Sequence, residues 1–141
     1  MNKLVREYQT NNPFALCRQM DISVLYADLP RQVKGFFTNV DGFKMVYLNS
    51  RLPEWEQRMV CAHELGHAVL HEEINALFIS YHTNLLCARY ENEADYFCAC
   101  LLMPDDWFLS EMEGKTVDQL AALGGVNPHL VELRLENMNR S

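Results

Sequence analysis

The chain has 141 residues, 49% of them hydrophobic, a length that buries one core and is short for two. Its 12 basic and 19 acidic residues leave a net charge of −7, which argues against a surface built to neutralise phosphates. No run approaches the ~20 apolar residues of a membrane span, and MNKLVREYQTNN lacks the apolar core of a signal peptide, so a single cytoplasmic domain is expected with no membrane or direct nucleic-acid partner.

Residues 1–20 read as mostly helical, with Pro13 opening a helix after Asn11 and Asn12 and with Phe14, Leu16, Cys17 and Met20 as apolar anchors. Three short candidate strands follow: Ile22 to Ala27, Gly35 to Thr38 and Phe43 to Leu48. The last two are joined by a turn at Asn39-Val40-Asp41-Gly42. They predict a small antiparallel sheet. Such a sheet either covers the helices or offers an edge, near Phe43 to Leu48, to which an extended peptide can add.

The next segment is a helix with Pro53 at its first position and Glu54 and Glu56 against its positive end; Trp55, Met59, Ala62, Gly66, Val69 and Leu70 recur at helical spacing. Gly66 weakens an isolated helix by about 1 kcal/mol relative to Ala but admits a neighbouring helix closely, so it reads as a packing contact. On this helix stands His63-Glu64-Leu65-Gly66-His67, of the form HExxH. Histidines four apart share a helical face and can reach one metal ion. Glu64, next to the first ligand, is the candidate general base, able to take a proton from a zinc-activated water and deliver it to a leaving amine. His71 lies ~12 Å along the axis from His63, too far to join the same ion on a straight helix, and reads as structural. Residues 74–88 are ambiguous between helix and loop; Tyr81 and His82 are the polar groups there that can reach the site as oxyanion stabilisers or else sit on the surface.

Residues 89–103 form a helix stopped by Pro104. At ~100° per residue, Glu91 and Asp95 stand together at the border of the face made by Cys87, Ala94, Phe97, Cys98, Leu101 and Leu102, while Glu93 points nearly opposite. Glu91 is therefore the third ligand. Two histidines and one carboxylate leave a fourth position open, the layout of a catalytic zinc site with one ion per chain. Asp95 is placed to accept the free N–H of a ligating histidine. The five cysteines, odd in number and set largely in apolar segments, suit buried thiols better than disulfides. The thiols of Cys98 and Cys100 diverge by roughly 200° on a helix and make a poor metal pair.

HELGH followed by E-N-E-A-D-Y-F-C-A-C-L-L-M-P resembles the ImmA/IrrE family of zinc metallopeptidases over roughly residues 40–110. The resemblance implies His63, His67 and Glu91 as ligands and Glu64 as base, in an α+β fold whose zincin-like HExxH helix packs with the sheet and a second ligand-bearing helix. It further implies a cytoplasmic regulator that relieves repression by cleaving a helix-turn-helix repressor, with no room here for an appended sensor domain.

Residues 116–138 read as two helices around Gly124-Gly125, close to a helix-turn-helix pattern. From Lys115 onward the basic residues are Lys115, Arg134 and Arg140, matched by Asp118, Glu132 and Glu136, so a packing or docking role is favoured over DNA recognition. The leading reading is a zinc endopeptidase. The alternative is a non-catalytic DNA-binding or protein-docking regulator with a structural metal site.

Overall fold

The computed structural model describes residues 2–71 and 84–140. The amino-terminal segment, expected to be mostly helical with Pro13 opening a helix, is two helices, α1 (Asn2–Tyr8) and α2 (Pro13–Gln19). Gln9 breaks them apart at φ 56°, and Asn12 Oδ1 accepts from the Phe14 and Ala15 amides at 2.9 and 3.4 Å, capping the helix that Pro13 opens.

Strands β1 (Ile22–Ala27), β2 (Gly35–Val40) and β3 (Phe43–Asn49) form a sheet in the order β1-β3-β2. The β2–β3 hairpin is antiparallel, as expected, but its turn is only Asp41-Gly42, at φ 53° and 85°, while Asn39 and Val40 stay in the ladder opposite Lys44 and Phe43. The expectation of a wholly antiparallel sheet fails at β1, which runs parallel to β3. Residues 28–34 carry the chain past the width of one strand, and the tight turn then returns β3 into the gap beside β1. The buried Asn49 side chain holds that crossing segment, its amide lying 3.2, 3.3 and 3.0 Å from the carbonyls of Leu29, Pro30 and Val33. The region from Phe43 to Leu48, expected as an edge, is consequently the central strand. The edges belong to β1 and β2.

Helix α3 (Glu54–Leu70) carries Glu54 and Glu56 in its first turn, with Pro53 as N-cap rather than first residue. Met59, Val60, Cys61, Ala62, Leu65, Gly66 and Ala68 are buried, a wider arc than one amphipathic stripe. The sheet covers one side of α3 and α4 (Asn84–Leu102) the other. Trp55 and Leu70 share the periodicity but sit near the helix ends and are 47% and 48% exposed. At Gly66 a Cβ would meet Phe97 Cδ1 at 3.1 Å and the Ala94 Cα at 3.2 Å, so the missing side chain sets how closely α3 and α4 approach.

Pro104 ends α4 and caps a further short helix, α5 (Asp105–Glu111), which the Pro-Asp-Asp start could have revealed. The tail forms α6 (Val117–Gly124) and α7 (Pro128–Arg140). Thr116 and Gln119 make a reciprocal capping box at the start of α6, and Gly125 ends it at φ 66°. Both helices are packed rather than free: Leu120, Ala121, Val126, Leu130 and Val131 join one core cluster with residues of α2, the sheet, α3, α4 and α5. The buried Arg134 pairs with Asp105 and lies over the Phe108 ring, fastening α7 to α5. The described cysteine side chains, Cys17, Cys61, Cys98 and Cys100, are free thiols.

Candidate metal centre

Helical spacing places His63 and His67 one turn apart on α3, and the close packing at Gly66 brings Glu91 of α4 across from both. Glu91 straddles the two rings. Its Oε2 lies 3.0 Å from His63 Nε2 and its Oε1 2.8 Å from His67 Nε2. Ligand atoms of His63, His67 and Glu91 all fall within 4.8 Å of one another. This donor set, two imidazole nitrogens and a carboxylate oxygen converging from two rigid helices, fits a metal ion with a fourth position left for another ligand.

The electrostatics agree with a site of concentrated charge. Burial favours a neutral Glu91, but hydrogen bonds from His63 and His67 outweigh it and hold the carboxyl far below its usual range. Burial works against a charged His63, yet its bonds to Asp95 and Glu91 and the neighbouring Glu64 carry its pKa up to about 10.

Glu64 stands beside this trio, 7% exposed, with Oε2 3.9 Å from His63 Nε2. Burial raises its pKa, and the adjacent histidines only partly offset that effect. A carboxylate that holds a proton readily and faces the cleft is suited to shuttle one. Asp95 lies where helical spacing put it, with Oδ1 2.8 Å from His63 Nδ1. Glu93 is turned away from the trio. It meets His71, with Oε1 3.7 Å from His71 Nε2. His71 itself does not join the trio but packs behind it, with its Nδ1 3.0 Å from His67 Nδ1. Tyr81 and His82 lie outside the described residues.

His63, Glu64, Glu91 and Asp95 line a cleft of about 290 Å³. Gln32, Lys34 and Gly35, leading into β2, form one side, and Asn127 and Leu130, at the start of α7, contribute to another. Lys34 pairs with Glu56 of α3 at 2.7 Å, fastening the start of β2 to the metal-centre helix. A Cβ at Gly35 would collide with the Tyr47 carbonyl oxygen at 2.6 Å and Val60 Cγ1 at 2.8 Å, so only glycine lets β2 pass this close to α3. The tail's share of the cleft was not visible in its sequence, because the helix-turn-helix pattern carries no information about what the tail packs against. His129, whose Nε2 is 3.8 Å from Asp95 Oδ2, was missed for the same reason.

The sequence profile of the IrrE N-terminal-like domain, a peptidase family, matches residues 17–136. The chain belongs to this family. Among its relatives, an uncharacterised immunity region protein 2 of Bacillus phage phi105 is 35% identical over 136 residues, spanning 95% of this chain and 85% of the phage protein. The metallopeptidase ImmA of Bacillus subtilis strain 168 is 26% identical over 144 residues, spanning 98% and 83% of the two chains. In fold, this member of the IrrE-like family is similar to a solved Mycobacterium tuberculosis transcriptional regulator, with a TM-score of 0.65 at 20% identity over 94% of this chain. The match spans only 44% of that larger protein. Among the described residues no helix is long and apolar enough to cross a membrane.

Proposed function

We propose that this protein is a cytoplasmic zinc endopeptidase, acting as a single domain with one ion per chain, that cleaves a helix-turn-helix transcriptional repressor and so relieves repression. The observation that carries the reading is the convergence of His63, His67 and Glu91 on one point with Glu64 buried beside them at a cleft. Family membership and the metallopeptidase among the relatives support it.

His63 and His67 would hold the ion through Nε2 and Glu91 through its carboxylate, with Asp95 accepting the Nδ1 proton of His63. Bound zinc supplies a Lewis acid that polarises the scissile carbonyl and lowers the pKa of water. Glu64 takes the proton of the attacking water and delivers it to the departing amine, a task its raised pKa favours.

The edge of β2, outermost among the described strands, takes over the part first assigned to Phe43 to Leu48. Because Gly35 and Lys34 line the cleft, an extended segment added to β2 would be held by main-chain hydrogen bonds beside Glu64. A helix cannot bind in that way, so cleavage falls in a linker, loop or locally unfolded part of the repressor. Short generic peptides lack the remote contacts that position the bond and are cut poorly.

Incubation of the zinc-loaded protein with candidate repressors and with unrelated unfolded proteins, followed by mass spectrometry of the fragments, tests the reading. One or a few cuts in a repressor are expected. Indiscriminate digestion, or intact repressors across the panel with zinc bound, would count against it.

A further inference from the structure

A histidine that gives Nε2 to a metal carries its proton on Nδ1, and that proton needs an acceptor if the ring is to be held in one orientation. For His63 the acceptor is Asp95. For His67 no carboxylate among the described residues is in reach of Nδ1. The atom facing it is Nδ1 of His71, at 3.0 Å, on a side chain only 5% exposed.

Two nitrogens at hydrogen-bond distance must divide the roles of donor and acceptor. If His67 Nδ1–H donates, His71 Nδ1 accepts, and the proton of a neutral His71 resides on Nε2. That nitrogen is turned toward Glu93 Oε1 at 3.7 Å. Both atoms are buried and without a hydrogen-bond partner among the described residues. The His71 donor and a Glu93 oxygen that accepts no hydrogen bond among the described residues thus face one another across a gap slightly longer than a hydrogen bond, which a small side-chain shift closes. Tyr90 packs on the His71 ring at 4.5 Å between centroids, and Arg89 Nε stands 3.4 Å from the same Glu93 oxygen, so both members of the pair are held from a second side.

We infer that His71 and Glu93 are positioning residues for the metal centre, forming with His67 a chain of hydrogen bonds, His67 to His71 to Glu93, that selects the Nδ1–H form of His67 and aims its Nε2 at the ion. The inference rests on the proposed metal site. It explains why a third histidine sits one turn beyond HExxH without reaching the ion, and it gives Glu93, the carboxylate facing away from the trio, a part in the same centre. Each ligating histidine then has its own outer support: Asp95 for His63, and the His71–Glu93 pair for His67.

The test is zinc affinity of the full chain, measured by competition with a chromogenic chelator for the parent, His71→Ala, His71→Phe, His71→Asn, Glu93→Ala and Glu93→Gln. His71→Ala and His71→Phe are expected to lose about 10- to 100-fold in affinity. His71→Asn, whose amide oxygen can take the place of Nδ1 as acceptor, recovers part of the loss. Glu93→Ala weakens binding less than loss of His71 does, and Glu93→Gln less again. The Glu93 side chain is 42% exposed against 5% for His71, so its variants remain informative if a His71 variant fails to fold. Nitrogen-15 correlation spectra of the zinc-loaded parent should show His67 protonated on Nδ1 and His71 on Nε2. Parental affinity in both His71→Phe and Glu93→Ala, or a His71 protonated only on Nδ1 in the loaded protein, overturns the inference and leaves the metal site standing. Absence of stoichiometric zinc in the parent overturns both.

Discussion

Asp95 Oδ1 sits 2.8 Å from Nδ1 of His63, on the far side of the ring from the Nε2 that faces Glu91. A ligand ring held from behind is turned toward the metal before the metal arrives, and its proton is kept off the ligating nitrogen. Asp95→Ala should therefore weaken zinc binding by about 10- to 100-fold while leaving the fold intact, and Asp95→Asn, which keeps an acceptor oxygen, should lose less. A chelator competition titration with far-ultraviolet circular dichroism on each variant checks both parts.

Glu64→Gln should retain zinc and structure and lose about 10²- to 10⁴-fold in cleavage rate, because the amide keeps the shape of the side chain but cannot take a proton. Timed incubation with a susceptible repressor measures this. Unchanged release of repression by the Glu64→Gln variant in cells would instead favour the non-catalytic docking reading.

Glu91→Ala should abolish stoichiometric zinc binding, while Glu93→Ala still reaches one zinc per chain at saturation. The two side chains leave α4 roughly 200° apart and cannot both face one ion; one meets His63 and His67, the other His71. Metal analysis after dialysis against zinc-buffered solution distinguishes the two. Equal loss from both folded variants would contradict the register of α4.

Gly66→Ala sets a helix-propensity gain of about 1 kcal/mol against an overpacking cost of typically about 1–3 kcal/mol. The Phe97 ring can rotate away, but Phe97 Cβ and the Ala94 Cα, both at 3.2 Å, are fixed to the backbone and can yield only if the helices separate. The expected result is a lower melting temperature together with weaker zinc binding, since Glu91 rides on the displaced helix. Thermal melts with and without zinc report the two effects separately.

For the metal-free protein the sign of the pH dependence follows from His63. Its folded pKa of about 10 exceeds the ordinary histidine value of 6.5, so its contribution to stability is complete below pH ~6.5 and is lost as the pH rises through about 10. The chelated protein should melt at progressively lower temperature across that window. Zinc binding at neutral pH should release a proton, because the ligand must be deprotonated. Isothermal titrations in buffers of different ionisation enthalpy measure the number released.

The convergence of His63, His67 and Glu91 was readable from sequence because it depends on local geometry: the i, i+4 spacing of the two histidines, and ~100° steps that separate Glu91 from Glu93. The strand segments were readable for the same reason. Their order was not, since an apolar run such as Ile22 to Ala27 does not say whether the neighbour is β2 or β3 or in which direction it runs. Trp55 and Leu70 followed the helical period but are about half exposed near the two ends of α3, because periodicity names a face and not how far along it a neighbour packs. The role of His71 depended on where its ring nitrogens point, and that is decided by Tyr90, Glu93 and His67 together.

The shared construction of the cleft has a consequence for damage. His63, His67 and Glu91 precede the exposed link Glu113-Gly114-Lys115, whereas Asn127 and Leu130 follow it. Exposed turns of this kind are preferred sites of proteolytic nicking. A single backbone cut there would leave the three donor atoms on one fragment and part of the cleft wall on the other, joined only by non-covalent contacts such as the Arg134–Asp105 pair. On the proposed function, the larger piece would still bind the ion once the two drift apart but would no longer present the shape a substrate must match, so metal content alone would be a poor gauge of how much intact protein a preparation contains.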